Sequence, residues 1–477
     1  MFSDKLISLL QTLSRVEMTR FHKFLQSPYF NDQKEVTRLF ERVGQALRSG
    51  ETDSPALRKE KVWAALYPKK DLDDAQLRRL ASDLTQLALH FLVQEARRRD
   101  PLGEALELQK VLERPGLKKH LDGTERQIVR LLESAPGKSS GHYLAQFQAH
   151  WHTFSRASKG MASSDYMEKL LPADQYLEYF YVVQKLKFYV AWLSYRNFRS
   201  TDQELSLIEG FWQYVQDERF SQIPLIAVYQ QVVACLTELN DESHFQELLF
   251  KLEEKGDQLT QEDLRECYHI AQNYCAIKIN QGKNEYYRHV FNIFKMIIQQ
   301  SILLEENQLS EGMYKNIITA SLGVGEYAWA EQFIQQYAEF LPAGIRENAR
   351  TFNLAYLYFH LKQYPQVIEL LRNVEYSDVV YALSAKLTLV RTYYETDEIM
   401  ALDSLIDSFR IFLRRNKIIS KNQKREYNNF LNFVKKLVSM PLSDQAAVAK
   451  LRQRVTETAS TMPKKWLLEK IDELKRK

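Results

Sequence analysis

The sequence predicts an all-α protein whose body is a helical-repeat solenoid, and three observations predict it. Glycine (15) and proline (12) are scarce in a chain of 477 residues, against ordinary use of roughly 7% and 5%, so the chain has few sharp reversals. Apolar residues recur at helical spacing, as in Leu6, Leu9, Leu10 and Leu13, or Leu77, Leu80, Leu84, Leu87 and Phe91. From Pro224 onward, apolar helices alternate with short polar breaks at Asn240-Asp241, Gly256-Asp257, Gln281–Asn284, Gly323–Glu326, Lys362–Pro365 and Glu395–Glu398. Read as helix pairs, these breaks give about five units up to Arg415.

Taken in order, residues 1–99 read as an N-terminal helical module. Pro28 disfavours helix at Ser27 and ends one helix. Asp32 with Glu35 is the expected capping box of the next. Ser54-Pro55 starts a further helix with proline at its first position, and Tyr67-Pro68 stops it. A long helix is then expected from about Asp73 to Arg99. Residues 100–141 read as a polar connecting segment, with Ala135-Pro136-Gly137-Lys138-Ser139-Ser140-Gly141 as the linker. Residues 142–223 form an aromatic-rich helical segment. Its stretch from Tyr176 to Phe198 carries nine aromatic residues on more than one helix face, a pattern that predicts burial on several sides. Residues 224–415 hold the repeats, and 416–477 the C-terminal capping helices.

The clearest repeat unit spans residues 348–379. Leu354, Ala355 and Tyr358 fall on the first helix, Tyr364 in the turn, and Val367 and Leu371 on the second helix. A small residue on the first helix lets the second approach closely, and aromatic residues fill the groove between neighbouring pairs. This unit resembles a tetratricopeptide repeat. Residues 311–342 match in their second half (Gly325-Glu326-Tyr327, Ala330, Ile334, Leu341-Pro342) and depart at Ile318, where the family has a small residue. Residues 383–414 keep Leu389, Tyr393 and Ile399 but carry Val390 and Leu402 at small positions.

The resemblance implies a binding surface without chemistry of its own. It places Lys315, Asn316, Phe352, Tyr356, Phe359, His360, Arg391 and Tyr394 along a concave groove lined by first helices, as candidates for holding a protein or peptide partner. Some tetratricopeptide proteins grip a C-terminal carboxylate with a Lys/Asn/Arg set on successive first helices. Asn316 and Asn353 occupy one such position in two units. The following unit has Ser384 and Thr388 where cations are needed, so that activity is not carried over.

Residues 61–92 carry a second partial resemblance: an apolar helix, the Tyr67-Pro68 stop, an acidic turn, and a helix with Leu77-Arg78 and Ser82. The segment resembles the DNA-reading half of winged-helix regulators that bear helical repeats. That implies Arg78, Arg79 and Ser82 facing nucleic acid. It departs where the wing belongs, because residues 93–113 read as helix. Arg97, Arg98 and Arg99 suit a helix C-terminus. Seven of the sixteen residues in 410–425 are Lys or Arg, Arg414, Arg415 and Lys417 among them, with no acid. The alternative function is therefore a nucleic-acid-binding regulator.

The remaining features exclude function classes. A formal net charge of +4 from 65 basic and 61 acidic residues is close to balance, so composition alone points to neither nucleic acid nor membrane. The N-terminus reads as no signal peptide, and no long uncharged apolar stretch predicts a membrane span. Cys235, Cys267 and Cys275 form no C-x-x-C pair, which suits a reducing, cytoplasmic setting. Phosphate-binding loops, dinucleotide fingerprints, nucleophile elbows and zinc-protease motifs are all missing from the sequence. His150-Trp151-His152 puts its imidazoles on different helix faces, which does not suit a metal. No enzyme activity, cofactor or metal is expected.

Overall fold

A computed structural model describes residues 4–48, 57–135, 137–158, 166–198, 203–372, 379–440, 445–458 and 463–474. The Ser54-Pro55 helix start and Pro136 lie outside them. The described residues form 24 α-helices and no strand beyond one isolated bridge, Glu305 with Gln308. The protein is all-α. It divides into two compact units: Met1–Ala191 with Gln203–Ala227 and Asp257–Thr260, and Trp192–Asp202 with Val228–Gly256 and Gln261–Lys477.

In the first unit, α1 (Asp4–Gln11), α2 (Arg15–Leu25), α3 (Lys34–Arg48), α4 (Lys59–Leu66) and α5 (Asp74–Arg99) enclose one core. Leu6, Phe21, Val36, Leu39, Val62 and Leu84 are fully buried there, and Phe21 meets Phe40 and Phe91 at 5.0 and 5.1 Å. The capping box belongs to α2, where Ser14 and Glu17 exchange hydrogen bonds. At the start of α3 the turn is held instead by Asn31, whose amide donates to Leu25 O at 2.8 Å and whose Oδ1 accepts from Gln33 N. Asp73 caps α5 by accepting from Gln76 N, and α5 runs on as helix where a wing would stand.

The expected connecting segment is itself helical. In α6 (Pro101–Val111), Asp100 caps Gly103 N and proline sits in the first turn. α6 and α7 (Lys118–Glu133) share a small core with α8 (Ser140–Ser158) built on Leu106, Ile128, Leu132 and Ala145. Gly137 is not a free hinge. Lys138 N donates to Gln258 O at 3.2 Å, and a Cβ on Gly137 would stand 2.6 Å from the Leu259 carbonyl. α9 (Tyr166–Phe198) buries Tyr179, Val182, Val183, Leu186 and Val190 but leaves Phe188 and Tyr195 more than half exposed. Burial on several sides therefore does not extend along the whole helix. α10 (Phe211–Val215) supplies Phe211 and Trp212, which meet Tyr181 and Tyr189, and α11 (Glu218–Ser221) supplies Phe220, which meets Tyr179.

α12 (Pro224–Thr237) and α13 (Ser243–Lys255) lead into four helix pairs of the second unit: α14 (Gln261–Asn280) with α15 (Tyr286–Gln299), α16 (Glu311–Gly323) with α17 (Tyr327–Tyr337), α18 (Ala343–His360) with α19 (Tyr364–Arg372), and α20 (Val379–Glu395) with α21 (Ile399–Arg415). Each second helix packs on the first helix of the next pair, α16 touches α18, and α18 touches α20. Contacts between like helices of successive pairs mark a stacked-pair array. α22 (Lys421–Ser439), α23 (Gln445–Glu457) and α24 (Lys464–Leu474) follow, with α24 against both α22 and α23.

The four pairs share one turn. Gly282, Gly325, Lys362 and Asp397 each adopt positive φ, of 92, 80, 59 and 58°. The next residue donates its N–H five residues back in every case: Lys283 to Lys278 O, Glu326 to Ser321 O, Gln363 to Tyr358 O and Glu398 to Tyr393 O, at 2.9–3.0 Å. This left-handed cap satisfies carbonyls that the helix end leaves bare. Glu326, Gln363 and Glu398 stand 37 and 35 residues apart, so the repeat period is written in backbone hydrogen bonds. Behind the turns, Ala330, Ala355, Val367 and Ile406 are fully buried.

An L-residue in the left-handed region costs about 1 kcal/mol, and glycine does not carry that cost. Lys362→Gly is expected to raise stability by about 0.5–1 kcal/mol and Gly325→Val to lower it by about 1–2 kcal/mol, both read from urea midpoints at constant slope.

Candidate functional site

The eight groove residues fall on the first helices of three successive pairs: Lys315 and Asn316 on α16, Phe352, Tyr356, Phe359 and His360 on α18, Arg391 and Tyr394 on α20. Six of them form a continuous ladder of contacts. Lys315 Nζ lies 5.8 Å over the Phe352 ring. Phe352 stacks on Tyr356 at 6.1 Å, and Tyr356 meets His360 edge-on at 4.9 Å. Phe359 follows at 6.2 Å from His360, and the Arg391 guanidinium sits 4.1 Å from the Phe359 ring centre. These repeats at i, i+4 and i+7 put the α18 side chains on one face. Asn316, which is exposed, stands outside the ladder, and Tyr394 meets Trp466 instead.

Burial divides the set. Phe352 and Phe359 are core residues, at 3% and 7% exposure, while Lys315, Tyr356, His360, Arg391 and Tyr394 are half-buried. Asn353 is fully buried and donates to Ala349 O at 2.8 Å, so it offers nothing to a carboxylate. Burial lowers the Lys315 ammonium, against the pull of Glu311. Burial, with Arg391 and Lys465 beside it, holds His360 down to about 4, so the ring is neutral at pH 7. Burial also lowers Arg391, opposed by Tyr356, Glu395 and Glu469, and the Tyr356 hydroxyl accepts a hydrogen bond from it. Cations of this kind on aromatic faces gain most where water is excluded.

The residues that close this face come from the C-terminal capping helices, and only their pairing with Glu395 went unread in the sequence. Trp466 of α24 meets Tyr394 at 5.2 Å, lies 5.6 Å from the Arg391 guanidinium, and touches Phe430 of α22 at 5.9 Å. Its Nε1 donates to Glu395 Oε1 at 2.7 Å, and Lys470 Nζ donates to Glu395 Oε2 at 2.9 Å. Glu395 therefore spends one oxygen on each donor. A signal was present: α20 carries Arg391 and Glu395 four apart, and α24 carries Trp466 and Lys470 four apart. Two such pairs match when the helices lie face to face.

The alternative residues sit differently. Arg78, Arg79 and Ser82 are exposed on α5, in the first unit. Arg78 and Ser82 border a cavity of about 560 Å³ with Lys5, Lys59 and Asp74, and Asp74 forms ion pairs with both Arg78 and Lys59. Arg414 and Arg415 end α21 and Lys417 sits in the turn after it, all exposed, in the second unit.

Among the described residues, Glu238, Asp241 and His244 are the one trio close enough to share a metal ion. The Gln231 amide donates to His244 O at 2.9 Å and lies 3.2 Å from Nδ1. That leaves Nδ1 as acceptor and puts the ring proton on Nε2, facing Glu238 at 3.2 Å. The arrangement is a hydrogen bond from Nε2 to Glu238 rather than a ligand set. His150 stacks on Tyr176, and His152 pairs with Glu113. The three cysteines are buried and outside any disulfide. Burial pushes Cys235 and Cys275 up to about 12, which keeps both as thiols. No helix among the described residues is long and apolar enough to cross a membrane.

No family model, curated protein or solved structure matches the chain.

Burial holds His360 down from the ordinary 6.5 to about 4, so its contribution to stability is intact above pH 6.5 and is lost as pH falls toward 4. Between pH 7 and 4.5 the wild type should lose about 2 kcal/mol more stability than His360→Leu, measured by urea unfolding at the two pH values.

Proposed function

We propose that the chain is a non-enzymatic, tetratricopeptide-like scaffold that holds a protein or peptide partner against the first-helix face of its stacked pairs. The observation that carries this reading is the ladder from Lys315 through Tyr356 to Arg391. Half-buried cations and aromatics on successive like helices are the composition of a protein-binding core. Such residues cost stability when packed only for shape. The recurring turn of the four pairs supports the repeat assignment. Three cysteines outside any disulfide suit a reducing compartment.

A second reading keeps one specific support. Arg414, Arg415 and Lys417 are exposed at a helix end within a stretch that has no acid from residue 410 to 425. Such a patch favours polyanions.

The two readings separate experimentally. Proteins recovered from lysate on the immobilised wild type should be lost on a folded Tyr356→Ala/Lys315→Ala variant and kept on Arg414→Ala/Arg415→Ala/Lys417→Ala. The opposite pattern, together with a salt-sensitive duplex mobility shift lost only in the triple variant, would replace the scaffold by the nucleic-acid regulator.

A further inference from the structure

We infer that the surface around Arg391 and Glu395 is a helix-recognition site that takes an amphipathic helix bearing an aromatic residue and, one turn later, a lysine, and that the protein's own α24 fills this site in cis. The inference rests on the first-helix face being the docking face and adds the chemistry of what docks there.

Four observations carry it. α24 is short, with three fully or nearly buried side chains, Trp466, Leu467 and Ile471. A helix of that length holds its fold through what it packs on. Its hold on α20 is polar and directional: Trp466 Nε1 and Lys470 Nζ each take one oxygen of Glu395. The groups beneath it are poorly satisfied for a permanent core. His360 Nε2 and Arg391 Nε are both buried without a hydrogen-bond partner, although native interiors pair nearly all such atoms. The aromatic anchor set on an arginine and ringed by an ion pair is the composition of a binding hot spot rather than of a domain interior. The chain thus displays its preferred ligand: an aromatic N–H donor for Glu395 Oε1, a ring face for Arg391, and an ammonium for Glu395 Oε2.

A partner helix with that spacing would displace α24, and the gain in polar satisfaction would come from groups able to reach His360 and Arg391. Specificity would follow from charge: an acid in place of the lysine would stand against Glu395.

The test uses the full chain and a fluorescein-labelled peptide of residues 463–474. In a Trp466→Ala/Lys470→Ala variant that keeps wild-type helicity and cooperative unfolding, the peptide should bind at least tenfold more tightly than to the wild type, by fluorescence anisotropy. A peptide carrying the same two alanines should not bind, and adding Glu395→Lys to the variant should abolish binding. Equal weak binding to wild type and folded variant overturns the inference. Should the variant fail to fold, amide hydrogen exchange of the wild type decides. Amides of α24 exchanging at least tenfold faster than those of α20 and α22 support a detachable helix, and equal protection overturns it. Loss of lysate capture on Tyr356→Ala/Lys315→Ala, with no rebinding of the peptide, would sink the cis-ligand while leaving the scaffold reading in place.

Discussion

A pair of packed helices covers only one side of each member, and the second unit is organised by that shortfall. Every first helix must be buried again by its neighbours, so α16 leans on α18 and α18 on α20. The turn that folds each pair back is what keeps the stack in register. Gly282, Gly325, Lys362 and Asp397 all take the left-handed conformation, and each is followed by an N–H that reaches five residues back. Small and branched residues such as Ala330, Ala355 and Val367 can then meet across the same interface in successive units.

That regularity has a consequence for the exposed face. Lys315 of α16 lies over Phe352 and Arg391 of α20 over Phe359, so α18 receives a cation on an aromatic ring from each of its like neighbours. The array also needs an end, because its last first helix has no successor to cover it. α24 covers α20 at Arg391, Tyr394 and Glu395 through Trp466 and Lys470. Trp466, Leu467 and Ile471 bury the apolar side of α24, and Trp466 and Lys470 add the hydrogen bonds to Glu395.

The candidate site was legible in part. Lys315, Tyr356 and Arg391 could be placed on one face because the turn signals at Gly325, Lys362 and Asp397 set the register of the helices before them. For each groove aromatic the sequence left partner binding and packing between repeats equally open, and neighbouring helices decided that Phe352 and Phe359 turn into the core. Glu395 read as part of a polar break, and Trp466 and Lys470 as one face of a terminal helix. Their meeting depends on contacts across 71 and 75 residues, and no local pattern encodes a separation of that size. Within the polar segment 100–141, Pro101 is at home in the first turn of α6 and Asp100 caps Gly103 N.

By itself the sequence determined the helical class, the positions of most helix ends and the period of the last three pairs, because these follow from short-range rules: apolar spacing, left-handed turns and caps. Tertiary structure decided which faces are covered, that Gly137 is pressed against the 258–260 backbone rather than free, and that α24 lies against α20 at Arg391, Tyr394 and Glu395. Those outcomes turn on close approach between segments far apart in the chain. Such approach is set by the shape and volume that packing leaves, and a residue's neighbours in sequence carry no record of either.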